Sequence, residues 1–414
     1  MIQFIHTADI HFGMENYGKI DPITGIHTRL LDFQKALDFC IDYALKKKVD
    51  FFLFSGDAYK TINPTPTQQR LLFKCFLRLQ QANIPLVIVV GNHDNPLSFG
   101  KANTLDLFSD LPLTGFHVMA KPTSLLLETK SGPVQIVGIP WPSRANIAIA
   151  AMHAYKSASV LTEHISSSVS SIVQHMANQL DPSIPAVLAG HLTVSSGIFS
   201  GSEKRAIYGN DPVLLPSQLA ITPFDYVGLG HLHRYQNLNP NGYPAIVYSG
   251  SPERIDFGER KEEKGFCLVS IEKKGTTTHE LIKTPTRPFI QIEVKLKENV
   301  DQTAQLLEAI NKHDINDAVI KILYHVPLHK KDTVNLQTII NACSSAMHLV
   351  SITPIHIPET REKRTIMNIS MDLKTIVSTY LDGKENLKND KERLLEKAMQ
   401  LQQEALNEEL EENS

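Results

Sequence analysis

The sequence predicts an α/β protein, α+β in its later part. A two-sheet β-sandwich core flanked by helices is expected, followed by a small α+β capping domain and a C-terminal helical tail. Three observations carry this expectation. In the first half, short apolar runs closed by glycine or serine alternate with segments that repeat apolar residues at helical spacing. From about Phe224, strand-like runs follow one another with turn residues between them. The last stretch is rich in Glu, Lys, Gln and Leu and carries a heptad-like stripe.

The elements follow in order. Ile2 to Ile5 opens the chain as a strand, and Phe51 to Ser55, Pro85 to Val90 and Ala186 to Gly190 read as buried strands. Arg29 to Lys47 and Thr67 to Ala82 repeat apolar residues as helices do, and Pro66 suits the first turn of the second. Ser159 to Leu180 is a further helix, with a serine run that lowers its propensity. Asp225 to Leu229, Ala245 to Tyr248, Phe266 to Ile271 and His279 to Ile282 are strands, expected to be more antiparallel than the first set. These elements make a catalytic domain over 1–284.

Lys283 to Pro288 reads as a linker. Beyond it, strands at Phe289 to Leu296, Ala318 to Tyr324 and His348 to Ile357 alternate with helices at Val300 to Ile310 and Thr333 to Cys343. This gives a capping domain over 285–357. In the tail, 358–414, Arg361 to Arg364 is a charged connector. Leu373, Ile376, Val377 and Tyr380 share one helix face, and Gly383 can end that helix. Lys388 to Leu410 places Leu394, Ala398, Leu401 and Ala405 on a stripe. The amphipathic pair suits either self-packing or a partner.

A chain of 414 residues is too long for one ordinary core. With 42% hydrophobic and 21% charged residues and a formal charge of -3, a basic nucleic-acid surface is not visible in the totals. Cys40, Cys75, Cys267 and Cys343 are scattered in apolar segments and read as buried, reduced thiols. No apolar run approaches a membrane span, and the start lacks a basic leader, so a cytoplasmic protein is expected. Gly13 to Lys19 superficially matches a phosphate loop, but Ile20 stands where the metal-binding hydroxyl belongs and Asp21-Pro22 follows instead of a helix. Any ATP dependence must therefore come from a partner.

Five strand ends carry metal-ligand residue types: Asp9 and His11, Asp57, Asn92 with His93 and Asp94, His191, and His231 with His233. Carboxylate, imidazole and amide oxygen without thiolate suit Mn²⁺, Fe²⁺ or Zn²⁺. Two ions roughly 3.5–4 Å apart can clamp both oxygens of an in-line displacement at phosphorus. A carboxylate must bridge them, and Asp57 is central in the order. Asp9 and His11, two apart, point to one face if the backbone is extended, and the same holds for His231 and His233. His93 faces away from Asn92 and is the candidate to protonate the leaving oxygen, with Asp94 to orient it. His27, His117, His153, His164 and His175 read as ordinary surface or core residues, His6 as core beside the site, and Lys204-Arg205 as either a nucleic-acid contact or a solvated loop pair.

Over Met1 to Ser251 this ordered set resembles the calcineurin-like metallophosphoesterases. The resemblance implies that Asp9, His11, Asp57 and His233 bind one metal and Asp57, Asn92, His191 and His231 the other, with Mn²⁺ the expected ion, His93 catalytic and Asp94 supporting it. Within that superfamily, the segments His6 to Gly13, Asn63 to Gln69 and Ser249 to Arg254 resemble the SbcD-type DNA-repair nucleases. That resemblance implies DNA as substrate, exonuclease and endonuclease activity, a homodimer, and an SbcC-like coiled-coil ABC ATPase as partner. Ala58-Tyr59-Lys60 departs from the family's bulky apolar pair and acidic or histidine residue, leaving Lys60 as either a phosphate contact or a solvated side chain. The competing expectations are a stand-alone phosphatase or phosphodiesterase on small substrates and a non-catalytic structural component. The first conflicts with the added domain and tail, and the second with an intact His93.

Overall fold

The computed structural model describes residues 1–95, 101–110, 114–142, 158–201, 211–328, 330–356, 373–382, 387 and 390–412. His153, Lys204-Arg205, Arg361 to Arg364 and Gly383 lie outside them.

The chain runs β1 (Ile2–Thr7), α1 (Thr28–Lys47), β2 (Phe51–Phe54), α2 (Pro66–Gln81), β3 (Leu86–Val89), α3 (Asp106–Asp110), β4 (Phe116–Met119), β5 (Thr123–Thr129) and β6 (Gly132–Ile139). It continues through α4 (Ala158–Asn178), β7 (Ala186–His191), β8 (Thr193–Val194), β9 (Val213–Leu214), α5 (Pro216–Leu219), β10 (Tyr226–Gly230), β11 (Gln236–Asn237), β12 (Ala245–Tyr248), β13 (Gly265–Lys273) and β14 (Thr276–Lys283). Then come β15 (Phe289–Lys295), α6 (Gln302–Ile310), β16 (Val319–Val326), α7 (Leu336–Ala342), β17 (His348–His356), α8 (Leu373–Asp382) and α9 (Lys391–Glu412).

Two six-stranded sheets form the body, in the orders β14-β13-β1-β2-β3-β4 and β11-β12-β10-β7-β6-β5. Their inner strands β2, β3, β7 and β10 are apolar on both faces because both faces are covered. Phe51 and Leu53 point between the sheets with Phe4, Val87, Val187 and Tyr226. The alternate residues Phe52 and Phe54 point outward against Phe33, Leu37 and Phe76 of α1 and α2. Leu188 and Val227 of the second sheet pack outward against Ile165, Val169 and Val173 of α4. Helix, sheet, sheet and helix thus stack as four layers.

Local chemistry sets the helix ends. The His27 side chain accepts from the Arg29 amide at the start of α1, and Lys48 ends that helix in the left-handed region at φ 51°. Thr65 and Gln68 form a reciprocal capping box before α2, with Pro66 in its first turn.

The later strands are less antiparallel than their spacing suggests. β10 pairs in parallel with both β7 and β12. Antiparallel pairing is kept by β13 with β1 and β14, by β11 with β12, and by β5 with β6. Chain order alone misleads here, because the long excursion between β7 and β10 returns the chain to the same end of the sheet.

A three-stranded sheet in the order β15-β16-β17 follows. Two compact units divide the chain: Met1–Ile292 with Ile310–Ile322 and Gln337–Ile352, and Glu293–Ala309 with Leu323–Leu336 and Thr353–Ser414. In the second unit α8 and α9 pack on each other, Leu381 is buried, and Tyr380 and Leu401 are exposed.

Candidate metal centre

β1, β2 and β3 are mutually parallel, as are β7 and β10. Parallel strands deliver their carboxyl ends to one edge, where side chains from distant parts of the sequence meet. Asp9 and His11 follow β1, Asp57 follows β2, and Asn92, His93 and Asp94 follow β3. His191 closes β7, while His231 and His233 follow β10. The first two loops are zipped together, with Asp9 N donating to Gly56 O (2.9 Å), His11 N to Asp57 O (3.1 Å) and Phe12 N to Ala58 O (2.9 Å).

Asp9 and His11 are not extended. Their φ values are 57° and 47°, and Asp57 (57°) and His231 (105°) are also positive. Non-glycine residues rarely adopt this conformation unless the surroundings impose it. Asp9 and His11 therefore converge through a curled loop and not through strand periodicity. Gly91 is required for close approach, since a Cβ there would collide with the Asp57 carboxylate and its amide. At Gly230, a Cβ would strike Ser55 O.

The donors gather at two foci. At one, His11 Nε2 lies 3.1 Å from His233 Nε2 and 3.6 Å from Asp57 Oδ2. Asp9, His11 and His233 all offer donor atoms within 4.8 Å of one another. At the other, Asn92 Oδ1 lies 3.0 Å from His191 Nε2 and 3.2 Å from His231 Nδ1, and His191 Nε2 is 3.4 Å from Asp57 Oδ2. One oxygen of Asp57 thus faces both foci. Asp9, Asp57, His11, His191, His231 and His233 are buried, while Asn92 and His93 are half-buried.

These residues fit two divalent ions. His191 Nδ1 pairs with Ser55 O at 2.7 Å, and His233 Nδ1 with Glu259 Oε1 at 2.9 Å. Each outer nitrogen is thereby held as N–H, and each inner nitrogen is left bare toward the focus. Two imidazole nitrogens 3.1 Å apart at His11 and His233 suit a shared electrophile better than each other.

The charges agree. Burial pushes Asp9 up to about 7 against the pull of His191 and His233. Burial also acts to raise Asp57, but His191, then His11 and His93, prevail and hold it well below the usual carboxylate range. Burial opposes a charge on His191, yet Asp57 raises it to about 9. Burial holds His231 at about 3 and His11 well below an ordinary histidine.

His93 N donates to Asp57 Oδ1 at 2.9 Å, and His93 Nδ1 pairs with the Lys60 carbonyl at 2.8 Å. Orientation of His93 by Asp94 is not what the geometry provides. The Asp94 carboxylate turns away and accepts from Ala58 N (3.0 Å), Tyr59 N (3.2 Å) and Gly91 N (3.1 Å). Adjacent residues diverge, so the side chain of Asp94 braces the Asp57 and Asn92 loops while a backbone carbonyl orients His93. Burial, then Asp57, raises Asp94 to about 7.

Two neighbours carried no signal in the sequence. Glu259 is buried, binds His233, and forms a 2.6 Å ion pair with the fully buried Lys264. Trp141 lies against His231, with ring centroids 4.8 Å apart, and its backbone N–H donates to Val90 O. Neither sits in a metal-ligand motif, and only the fold brings them near. Of the other histidines, His6 is buried against the Tyr226 hydroxyl at 3.0 Å, His27 caps α1, His117 is half-buried in β4, and His164 and His175 lie on α4.

A buried carboxylate between two imidazole-rich foci, at the carboxyl edge of a two-sheet sandwich, defines a metal-dependent phosphodiester hydrolase. The chain belongs to the calcineurin-like phosphoesterase family, whose pattern matches residues 2–235 and whose members use a dinuclear metal centre. It is similar to the D component of the SbcCD nuclease of Bacillus subtilis, 26% identical over 70% of this chain and 72% of that one. It also resembles the proteins of the same name from Escherichia coli K12, 27% identical over 74% and 73%, and Staphylococcus saprophyticus, 27% over 78% and 80%. Among solved structures, a dimetal phosphatase from Danio rerio matches 68% of this chain and 98% of its own at 10% identity, with a TM-score of 0.42. Among the described residues, no helix is long and apolar enough to cross a membrane.

Proposed function

We propose that this protein is a DNA nuclease with exonuclease and endonuclease activity, working with an SbcC-like ABC ATPase in double-strand-break repair and recombination. The observation that carries the reading is the convergence of seven donors and His93 at one edge, in a chain similar to three SbcCD nuclease components over more than two thirds of their length. In this reading Asp9, His11, Asp57 and His233 hold one ion and Asp57, Asn92, His191 and His231 the other, with Mn²⁺ as the working metal. Such ions supply nucleophilic water at neutral pH and offset charge on the phosphate.

The chain's own groups do the rest. Glu259 and Ser55 O orient the inner nitrogens of His233 and His191. The Lys60 carbonyl accepts from His93 Nδ1–H, so the other ring nitrogen, when the ring is an imidazolium, is the one that would give its proton to the leaving oxygen. Asp94 keeps the loops of Asp57 and Asn92 in register through three amide bonds. Residues 285–357 act as a capping domain, and the α8–α9 pair, with its exposed Tyr380 and Leu401, serves the ATPase partner. The protein works as a homodimer in the cytoplasm.

The test is cleavage of labelled single-stranded and hairpin DNA with Mn²⁺, using wild type and His93→Ala beside a dye phosphodiester. DNA cleavage that falls at least 100-fold in the variant, roughly the scale of a lost general acid, is expected. Turnover of the dye with DNA left intact, even with a coiled-coil ATPase supplied, would move the protein to small-substrate phosphodiester hydrolysis.

A further inference from the structure

We propose that the cavity beside Trp141 receives the nucleobase of a nucleotide flanking the scissile phosphate, with the Trp141 indole as its stacking face. The inference rests on the nuclease reading above and adds a base-binding subsite to it. The cavity encloses about 780 Å³, within the range of ligand sites, and is lined by Trp141, Ile139, Pro140, Lys101, Lys121 and Asn103, among others. Trp141 is the residue that links this cavity to the metal centre. Trp141 lies 4.8 Å from the His231 ring and 6.0 Å from the His191 ring, centroid to centroid, and remains half-buried. The Trp141 backbone N–H donates to Val90 O at 2.9 Å, so the residue is tied to the loop that carries Asn92 and His93.

The chemistry of the walls selects the occupant. A base is flat and apolar on its faces, and an aromatic face with apolar flanks complements those faces. Lys101 and Lys121 are exposed at the same cavity and suit the phosphates on either side. A phosphate clamped between the two foci places its neighbouring nucleoside within reach of an indole that touches His231. Stacking is sequence-tolerant, so the site predicts affinity for a base without a preference among bases.

Trp141 is the single tryptophan of the chain, so its fluorescence reports this site alone. The experiment titrates the full chain, with Ca²⁺ in place of Mn²⁺ to slow hydrolysis, with oligo-dT and with an abasic oligomer of the same length. Quenching by oligo-dT is expected, with abasic DNA binding about 5- to 150-fold more weakly. Trp141→Leu should erase that difference in an anisotropy assay, and Trp141→Phe should keep most of it. Equal binding of both oligomers, with no selective quenching and no effect of Trp141→Leu, overturns the subsite and leaves the nuclease reading intact. Failure of either oligomer to bind, together with failure of wild type to cleave DNA, overturns that reading and the subsite with it.

Discussion

Replacing Glu259 by glutamine removes the charge that joins the metal centre to a buried lysine. Lys264 is fully buried, and its ammonium lies 2.6 Å from Glu259, with His233 O at 2.9 Å, Ser251 Oγ at 3.0 Å and Glu262 at 3.2 Å as further partners. Breaking a buried pair by losing one member costs about 3–5 kcal/mol. The surviving partners of Lys264 place Glu259→Gln at the lower end, roughly 3 kcal/mol. The pKa of Glu259 reflects the same contacts. Burial acts to raise Glu259, but Lys264 and then His233 prevail and lower it from 4.5 to about 2. A depressed folded pKa contributes stability that is complete above the unfolded value and disappears as pH falls through the folded one. From 4.5 to about 2 this amounts to roughly 3 kcal/mol. Urea unfolding of metal-free protein at pH 7 should show the midpoint lowered accordingly, and the gap between wild type and variant should close as pH falls from about 4.5 toward 2. Calorimetric titration with Mn²⁺ should show affinity about 10- to 100-fold weaker, because the single amide oxygen of glutamine cannot accept both from His233 Nδ1–H and from Lys264 and Ile255 N. A variant with an unchanged midpoint and unchanged Mn²⁺ affinity would refute this reasoning.

Gly91→Ala should reduce bound Mn²⁺ by about tenfold or more by elemental analysis, with the circular dichroism of the fold retained, because its methyl group displaces Asp57. Asp94→Ala, which leaves the amides of Ala58, Tyr59 and Gly91 without their acceptor, should cost roughly 2–3 kcal/mol in urea unfolding. Asp94→Asn should be milder, since the protonated acid it resembles is already favoured by burial. The rise in melting temperature on adding Mn²⁺ should be larger at pH 8 than at pH 5. Asp9 has its folded pKa raised from 3.8 to about 7, so its contribution in metal-free protein is present below 3.8 and is lost as pH rises through about 7, where a cation can replace the proton. An equal rise at both pH values would contradict that sign.

The residue types that meet at this edge were legible in the chain, because phosphoester chemistry with two ions demands a narrow set of side chains and glycines leave room for tight loops after strands. Asp9, His11, Asp57, Asn92, His191, His231 and His233 could be read in order. So could the buried strands at Phe51 and Pro85 and the capped helices around them, since periodicity and caps are local signals. Pairing is not local. The parallel alignment of β10 with β7 and β12 depended on where the intervening chain returned. Only tertiary structure decided that Asp9 and His11 converge through left-handed backbone, that a carbonyl and not Asp94 orients His93, and that Glu259 and Trp141 stand at the site. Those roles arise from contacts between residues tens to hundreds of positions apart. Residue type and spacing state what a side chain can do, and packing decides which partner it does it with.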